Sequence, residues 1–381
     1  MESKKVNGVK FNRHDKPEFF KVLRKRVSSH LKDNNISTTA NLNMKLKTAF
    51  MIGLYFIPFG VLLLGGVTSS WLAIGLWALM GFGMSGIGTS VMHDANHGSY
   101  SKNPLVNNLL GAISNFTGVY HKNWRIQHNV LHHSFTNIDG HDEDLKNAVL
   151  RFSPNQEHKA RYKHQAFYAP FFYGIMTLFW VISKDFQDLK RYRDENLLAT
   201  QGMTYKSAFI EVLLMKIGYV LLTLVLPLLV VAVPVWVTLL GFFIMHFITG
   251  LLLALIFQPA HVIEETQFYE PDENGSVENN WAIHQMKTTS NFAHKSKLLS
   301  WYIGGLNYQI EHHLFPNICH VHYKGISKVV RETAQEFGVP YYNHETFLDA
   351  IKSHFSLLHR LGTGEIDREM KKKERVAEMV A

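Results

Sequence analysis

The long runs without a charged side chain decide most of what this chain can become. Residues 48–67 and 71–92 are uncharged, and so is one continuous run over 217–260. Crossing a hydrocarbon core takes roughly 20 residues of helix, so the first two runs supply one span each and the third supplies two. Thr68, Ser69 and Ser70 form the turn of a first hairpin. Pro227 and Pro234 interrupt the long run, which is expected to fold back near Pro234.

Lysine and arginine set the orientation of these hairpins. Neither turn carries one, whereas the N-terminal tail (Lys21, Arg24, Lys25, Arg26), the middle of the chain and its last third are rich in them. Both turns are therefore expected outside, and both termini in the cytosol. Two further apolar segments, 105–119 and 167–183, are short or borderline and carry positive charge on both sides, which predicts interfacial helices lying in the membrane plane. The expected organisation is a basic cytosolic segment 1–46, a transmembrane hairpin 47–92, a cytosolic stretch 93–208, a second hairpin 209–260 and a cytosolic cap 261–381.

Composition agrees with a membrane protein that has a large polar half. Only 18% of residues are charged, against roughly 25% in an ordinary soluble domain. The net charge of +8 reads as a cytosolic face over anionic lipid, with no nucleic-acid partner. Cys319 is the one cysteine, which excludes an intrachain disulfide and a thiolate metal cage. Any metal must be held by nitrogen or oxygen, and 22 histidines supply the nitrogen. The basic, polar first forty-odd residues do not read as a signal peptide.

His93 and His97 stand four apart directly after the second run and share one helical face. His128 and His132 repeat that spacing, with His133 about 100° further round. His261 follows the fourth span, and His312-His313 follow Gln309 in the last third. All lie at cytosolic ends of spans or beyond them, so they can meet. A lone histidine is usually a surface or hydrogen-bonding group. Separate clusters with ligand spacing on one side of the membrane predict a metal centre, because so many imidazoles packed without a cation would repel once protonated. Imidazole suits Zn, Cu, Fe or Ni, so spacing leaves the metal open. His246 lies inside the fourth span, about 16 Å from its cytosolic end, and either lines a channel or bonds to a neighbouring helix. His121, His141, His158, His164, His284, His294, His320 and His322 lack such spacing and are expected at the surface or in support of ligands. Asp142-Glu143-Asp144 either orients ligand imidazoles or forms a solvated loop. Cys319 is expected to be structural.

The order H-x-x-x-H, H-x-x-x-H-H, Q-x-x-H-H, with helical hairpins between, resembles the membrane fatty acid desaturases over residues 48–322. The likeness includes His128-Asn129, Thr136-Asn137 and Glu311-His312-His313-Leu314-Phe315-Pro316. The middle box has three residues before its histidine pair, where two are commoner. The resemblance implies an all-α integral membrane enzyme with four transmembrane helices in two hairpins, interfacial helices and a cytosolic helical cap holding a histidine-rich di-iron site. It implies two non-haem Fe on His93, His97, His128, His132, His133, His261, His312 and His313, with O2 as co-substrate and two electrons from outside. Gln309 stands where another branch has histidine, which is similar to the front-end branch and gives this residue a catalytic place. That branch sets a cis double bond between an existing one and the carboxyl end. With no His-Pro-Gly-Gly haem motif in the sequence, the chain resembles bacterial linoleoyl-CoA-type desaturases, fed by a separate carrier such as ferredoxin or cytochrome b5. The implied substrate is a long-chain acyl-CoA or acyl-lipid, its headgroup near Lys122, Arg125, Arg161 or Lys190, and the implied location is the bacterial plasma membrane. The rivals are a hydroxylase or ketolase of the same superfamily, and a metal transporter, whose histidines should lie inside the spans as only His246 does.

Overall fold

The computed structural model describes residues 9–380, so residues 1–8 of the expected N-terminal segment lie outside the described residues. Five helices are long and apolar enough to cross a membrane: α1 (Leu42–Leu64), α2 (Ser70–Asn96), α3 (Gln165–Asp194), α4 (Tyr205–Val230) and α5 (Val235–His261). Four of them form the two expected hairpins. Asn41 and Ser69 cap α1 and α2 by accepting from the N–H groups of Met44 and Leu72. The second hairpin turns just ahead of α5, at Pro234. α4 begins earlier than the uncharged run and takes Lys206, Glu211 and Lys216 into the helix.

Glycines let these helices meet backbone to backbone. Gly83 of α2 faces the Leu54 and Tyr55 backbone of α1, and Gly86 faces Met51, so the two run antiparallel. Gly241 of α5 faces Trp77, and Gly81 faces Met245 and Ile248, so α2 and α5 run parallel. Val67 and Val231, one from each turn, share an apolar cluster. Both hairpins thus turn at one end, and α2 and α5 deliver their C-termini together at the other. A Cβ on Gly83 would stand 2.5 Å from the Tyr55 nitrogen, and backbone cannot rotate aside. Gly83→Leu is therefore expected to cost about 3 kcal/mol or more through overpacking. Thermal unfolding in detergent checks this, and a wild-type melting temperature would contradict the packing.

Residues 167–183 differ from expectation. They belong to a 30-residue helix, α3, which makes five helices with spanning length instead of four. The helix does not stop at Lys184 because a π turn, Trp180–Lys184, carries it into the charged segment Asp185–Asp194. α3 lies antiparallel on α5, with Tyr173 and Gly174 against Gly250 and the Thr177 hydroxyl donating to the His246 carbonyl at 2.9 Å. Both ends of α3 bond to residues from the polar half: Gln165 donates to the carbonyls of Arg151 and Leu358, and Arg191 pairs with Glu143. The other segment, 105–119, is a short helix, Pro104–Gly111, followed by a 3-10 turn, with Leu105 and Leu109 exposed. Leu64, Trp71, Phe167, Leu229, Val235 and Trp236 are all more than half exposed, a surface suited to lipid.

The polar half closes over the C-terminal ends of α2 and α5. Phe19, Leu23 and Val27 of helix Glu18–Asp33 share a core with Ile310 and Leu314 of helix Gln309–Leu314 and with Ile326 and Val330 of helix Tyr323–Glu336. Two short parallel strand pairs, Lys10–Phe11 with Ser276–Val277 and Ser290–Phe292 with Tyr342–His344, tie loops to this cap.

Candidate metal centre

Local helix geometry decides how the histidines meet. α2 passes through a π turn, Ile87–Val91, just before His93, and residues 121–135 run as one helix whose middle, Ile126–His132, is π-helical. In the i→i+5 pattern residues five apart come onto one face. His128 Nε2 and His133 Nε2 accordingly approach to 3.2 Å, while His132 joins a different set of rings. His128 also stacks on His132 at 5.4 Å and groups with it and Asp144, so the π turn brings His133 to His128 in addition to His132. The third residue ahead of the histidine pair is absorbed by the π turn.

The structure brings eight imidazoles together. His93, His97, His128 and His312 offer nitrogens within 4.8 Å of one another, as do His132, His261 and His313. His133 links the two sets, grouped with His312 and His313, and its Nε2 lies 3.0 Å from His312 Nε2.

Residues outside the cluster aim four of these rings. His132 Nδ1 lies 3.1 Å from Asp142 Oδ1, His261 Nδ1 3.1 Å from the Thr288 carbonyl, His313 Nδ1 2.8 Å from Gln285 Oε1 and His312 Nδ1 3.1 Å from the Tyr323 hydroxyl. Carboxylate and carbonyl oxygens only accept, so at His132, His261 and His313 Nδ1 carries a proton, and at His261 and His313 the bare Nε2 faces inward. Asp142 is itself fixed by the N–H groups of Asn137 and Asp144, which decides the acidic run in favour of an orienting role. Gln285, Thr288 and Tyr323 carry no spacing signal and were invisible in the sequence.

The donor set fits metal. The Nε2 atoms of His93, His97, His261 and His313 are buried without a hydrogen-bond partner, a costly state that a cation would relieve. Burial first, and the neighbouring imidazoles second, hold His97, His128, His133, His312 and His313 well below the usual imidazole range. They stay neutral, as ligation requires. At His132 burial also opposes charge, but Asp142 and Asp144 outweigh it and push the ring up to about 9. Eight imidazoles in two overlapping sets suit a pair of first-row cations.

The remaining candidates separate clearly. Gln309 opens helix Gln309–Leu314 one turn before His313, is 1% exposed, and leaves its amide nitrogen unpartnered. His246 joins none of the histidine groups: its Nε2 lies 2.8 Å from the Tyr219 hydroxyl and its Nδ1 3.0 Å from the Thr177 hydroxyl, so it bonds helices together. His284 supports the middle box through the Thr136 carbonyl at 2.6 Å. His354, which carried no sequence signal, bridges the Tyr173 hydroxyl and the Val262 carbonyl. Of the suggested headgroup cations, Lys122 pairs with Glu211, Arg125 donates to Asn96 and Asn108, and Arg161 donates to the Tyr162 hydroxyl, while Lys190 is exposed.

A cavity of about 230 Å³ reaches this centre, with His128 and Trp124 in its wall. Its apolar part is lined by Met84, Gly88, Phe172, Thr249 and Leu253, and its polar part by Gln127, Glu143, Asp144, Lys146 and Lys184. The two lysines are already paired, Lys146 with Glu143 at 2.6 Å and Lys184 with Asp188 at 2.7 Å.

The chain is similar to known proteins over most of its length. Residues 69–344 match the fatty acid desaturase family. The chain is 35% identical to an sn-1 linoleoyl-lipid 6-desaturase of Arthrospira platensis, covering 90% of this chain and 92% of that protein. It is also 35% identical to an sn-1 linoleoyl-lipid 6-desaturase of Synechocystis sp., covering 93% and 98%. An acyl-lipid (8-3)-desaturase of Physcomitrium patens is 35% identical over 91% of this chain and 72% of its own length.

Proposed function

We propose, for a chain that belongs to the fatty acid desaturase family and is therefore an oxidoreductase that desaturates fatty acyl chains, a front-end reaction on an already unsaturated acyl chain carried by a membrane lipid. The observation that carries this reading is the cavity, which joins an apolar interior to the histidine centre. His93, His97, His128 and His312 would hold one non-haem iron, His132, His261 and His313 the other, with His133 between them. Bound iron with O2 supplies the oxidising power to take hydrogen from unactivated methylenes.

The chain's own residues do the rest by position. Asp142, Thr288, Gln285 and Tyr323 hold four rings in their ligating orientation. Methylenes along an acyl chain hardly differ in reactivity, so regioselectivity comes from the depth to which Met84, Gly88 and Leu253 admit the chain. Gln309, buried beside the last histidine pair with a free amide N–H, is placed to donate to a group bound there.

The polar mouth favours a lipid over CoA as the carrier, because its lysines are neutralised by Glu143 and Asp188 and offer no surplus charge to phosphates. The names of the cyanobacterial relatives agree. For topology, the bonding of both ends of α3 to the polar half supports four spans, with α3 inclined along the interface and the centre on the cytosolic side of a bacterial plasma membrane. Electrons would come from a separate acidic carrier such as ferredoxin or cytochrome b5. The Trp281 indole donates to the His133 carbonyl at 3.2 Å and meets Phe20 edge-on at 5.4 Å, beside the exposed Lys21, Arg24 and Lys25.

Expression in a host fed defined fatty acids tests this reading. The expected product is a new cis double bond on the carboxyl side of an existing one, located by mass spectrometry and found first in the glycerolipid pool. A hydroxylated or keto product would favour the superfamily rival, and first appearance in acyl-CoA would overturn the choice of carrier.

A further inference from the structure

Beside the histidine centre lies a second buried group that the reaction described above does not use. Asp94, Cys319 and His320 stand close enough together to hold a metal ion. A buried cation meets the other edge of that histidine: the Lys47 ammonium, 2% exposed, lies 2.7 Å from His320 Nε2. An ammonium has only donors, so His320 Nε2 accepts, and the ring proton must sit on Nδ1. Nδ1 then donates to Asp94 Oδ2 at 2.9 Å, which also receives the His320 backbone N–H at 3.0 Å. A neutral imidazole is thus held between a buried cation and a buried anion, with every polar atom of that ring used.

We infer that Lys47, His320 and Asp94 form a positioning relay for the ligand His93. Asp94 follows His93 directly, and its other oxygen, Oδ1, lies 3.7 Å from His93 Nδ1. That separation is longer than a hydrogen bond, and among the described residues neither ring nitrogen of His93 has a hydrogen-bond partner. The relay fixes the anion beside the Nδ1 edge of this ring, while Trp124 and Phe257 pack against it. Asp94 cannot rotate toward another donor while His320 grips Oδ2 twice. Lys47 comes from α1, Asp94 from α2 and His320 from the short turn after helix Gln309–Leu314. The relay therefore locks the first span and the cap to the first histidine box, and Lys47 also lies 5.5 Å over the Trp301 ring.

This inference rests on the two-iron reading, and its consequence is selective. His93 belongs to the set with His97, His128 and His312, whereas His132, His261 and His313 do not touch the relay. His320→Ala should weaken one iron site by about 10- to 100-fold, the usual effect of losing a ligand's supporting partner. After a chelator challenge, iron per chain should fall from two to one, with a changed Mössbauer spectrum. His320→Asn places an amide N–H where Nδ1 stood and should keep two irons. General damage to the fold would instead lower both sites together and leave the asparagine variant no better than alanine. Two irons at wild-type affinity in His320→Ala, or equal loss in both variants, would overturn the relay. A wild-type protein with fewer than two irons would instead fail the metal reading beneath it.

Discussion

His261→Ala is expected to purify with less than two irons per chain and no desaturation, while His246→Ala keeps both irons and measurable turnover. Fifteen residues of one helix separate these histidines, about 22 Å along its axis, so they cannot serve one compact centre. His261 closes α5 with Nδ1 on the Thr288 carbonyl and an unpartnered Nε2 facing His132 and His313. Removing it takes one donor from a set of three. His246 has both nitrogens engaged, by Tyr219 and Thr177. Its loss leaves the buried Tyr219 hydroxyl unsatisfied, which costs about 1–3 kcal/mol and appears as a lower melting temperature, while the Thr177 hydroxyl keeps its bond to the carbonyl of residue 246. Iron analysis and thermal melts of the two purified variants separate the roles. Full metal and full activity in His261→Ala would refute its place as a ligand.

The contrast between these two residues also shows what a sequence of this kind discloses. Both hairpins were legible because a membrane demands uncharged runs of set length, and the turn at Pro234 because proline breaks a helix. The histidine boxes were legible from spacing. The contact of His133 with His128 was not, because spacing was converted to faces with α-helical geometry, and the π turn Ile126–His132 brings His133 to His128 as well as His132. Partners from distant segments left no local pattern. Gln285, Thr288 and Tyr323 aim ligand rings from the cap, and nothing in their neighbouring residues marks them. His320 lacked ligand spacing because its partners Lys47 and Asp94 lie far away in the chain. The length of α3 was missed for another reason: Lys184 was taken as an end, but its ammonium is satisfied by Gln127 and Asp188 and does not interrupt the helix.

The last expected effect concerns how far an acyl chain can enter. Gly88 lies in the π turn Ile87–Val91, five residues before His93, or about 7 Å along the helix. It lines the cavity, and a Cβ there would meet only Leu253 Cδ2, at an ordinary 3.4 Å. A larger side chain is thus accepted by the fold but occupies the space the substrate needs. Gly88→Leu should keep two irons and the wild-type melting temperature. Its turnover on long acyl chains should nevertheless fall about 100-fold, the scale expected when a reacting carbon is displaced by an ångström or more. Shorter chains, whose methyl end stops before this point, should lose much less. Gly60→Leu is the control, since a Cβ on Gly60 meets nothing within 4 Å and this glycine is not part of the cavity wall. If Gly88→Leu turns over long chains as fast as Gly60→Leu does, the acyl chain does not pass residue 88, and the cavity is not its path.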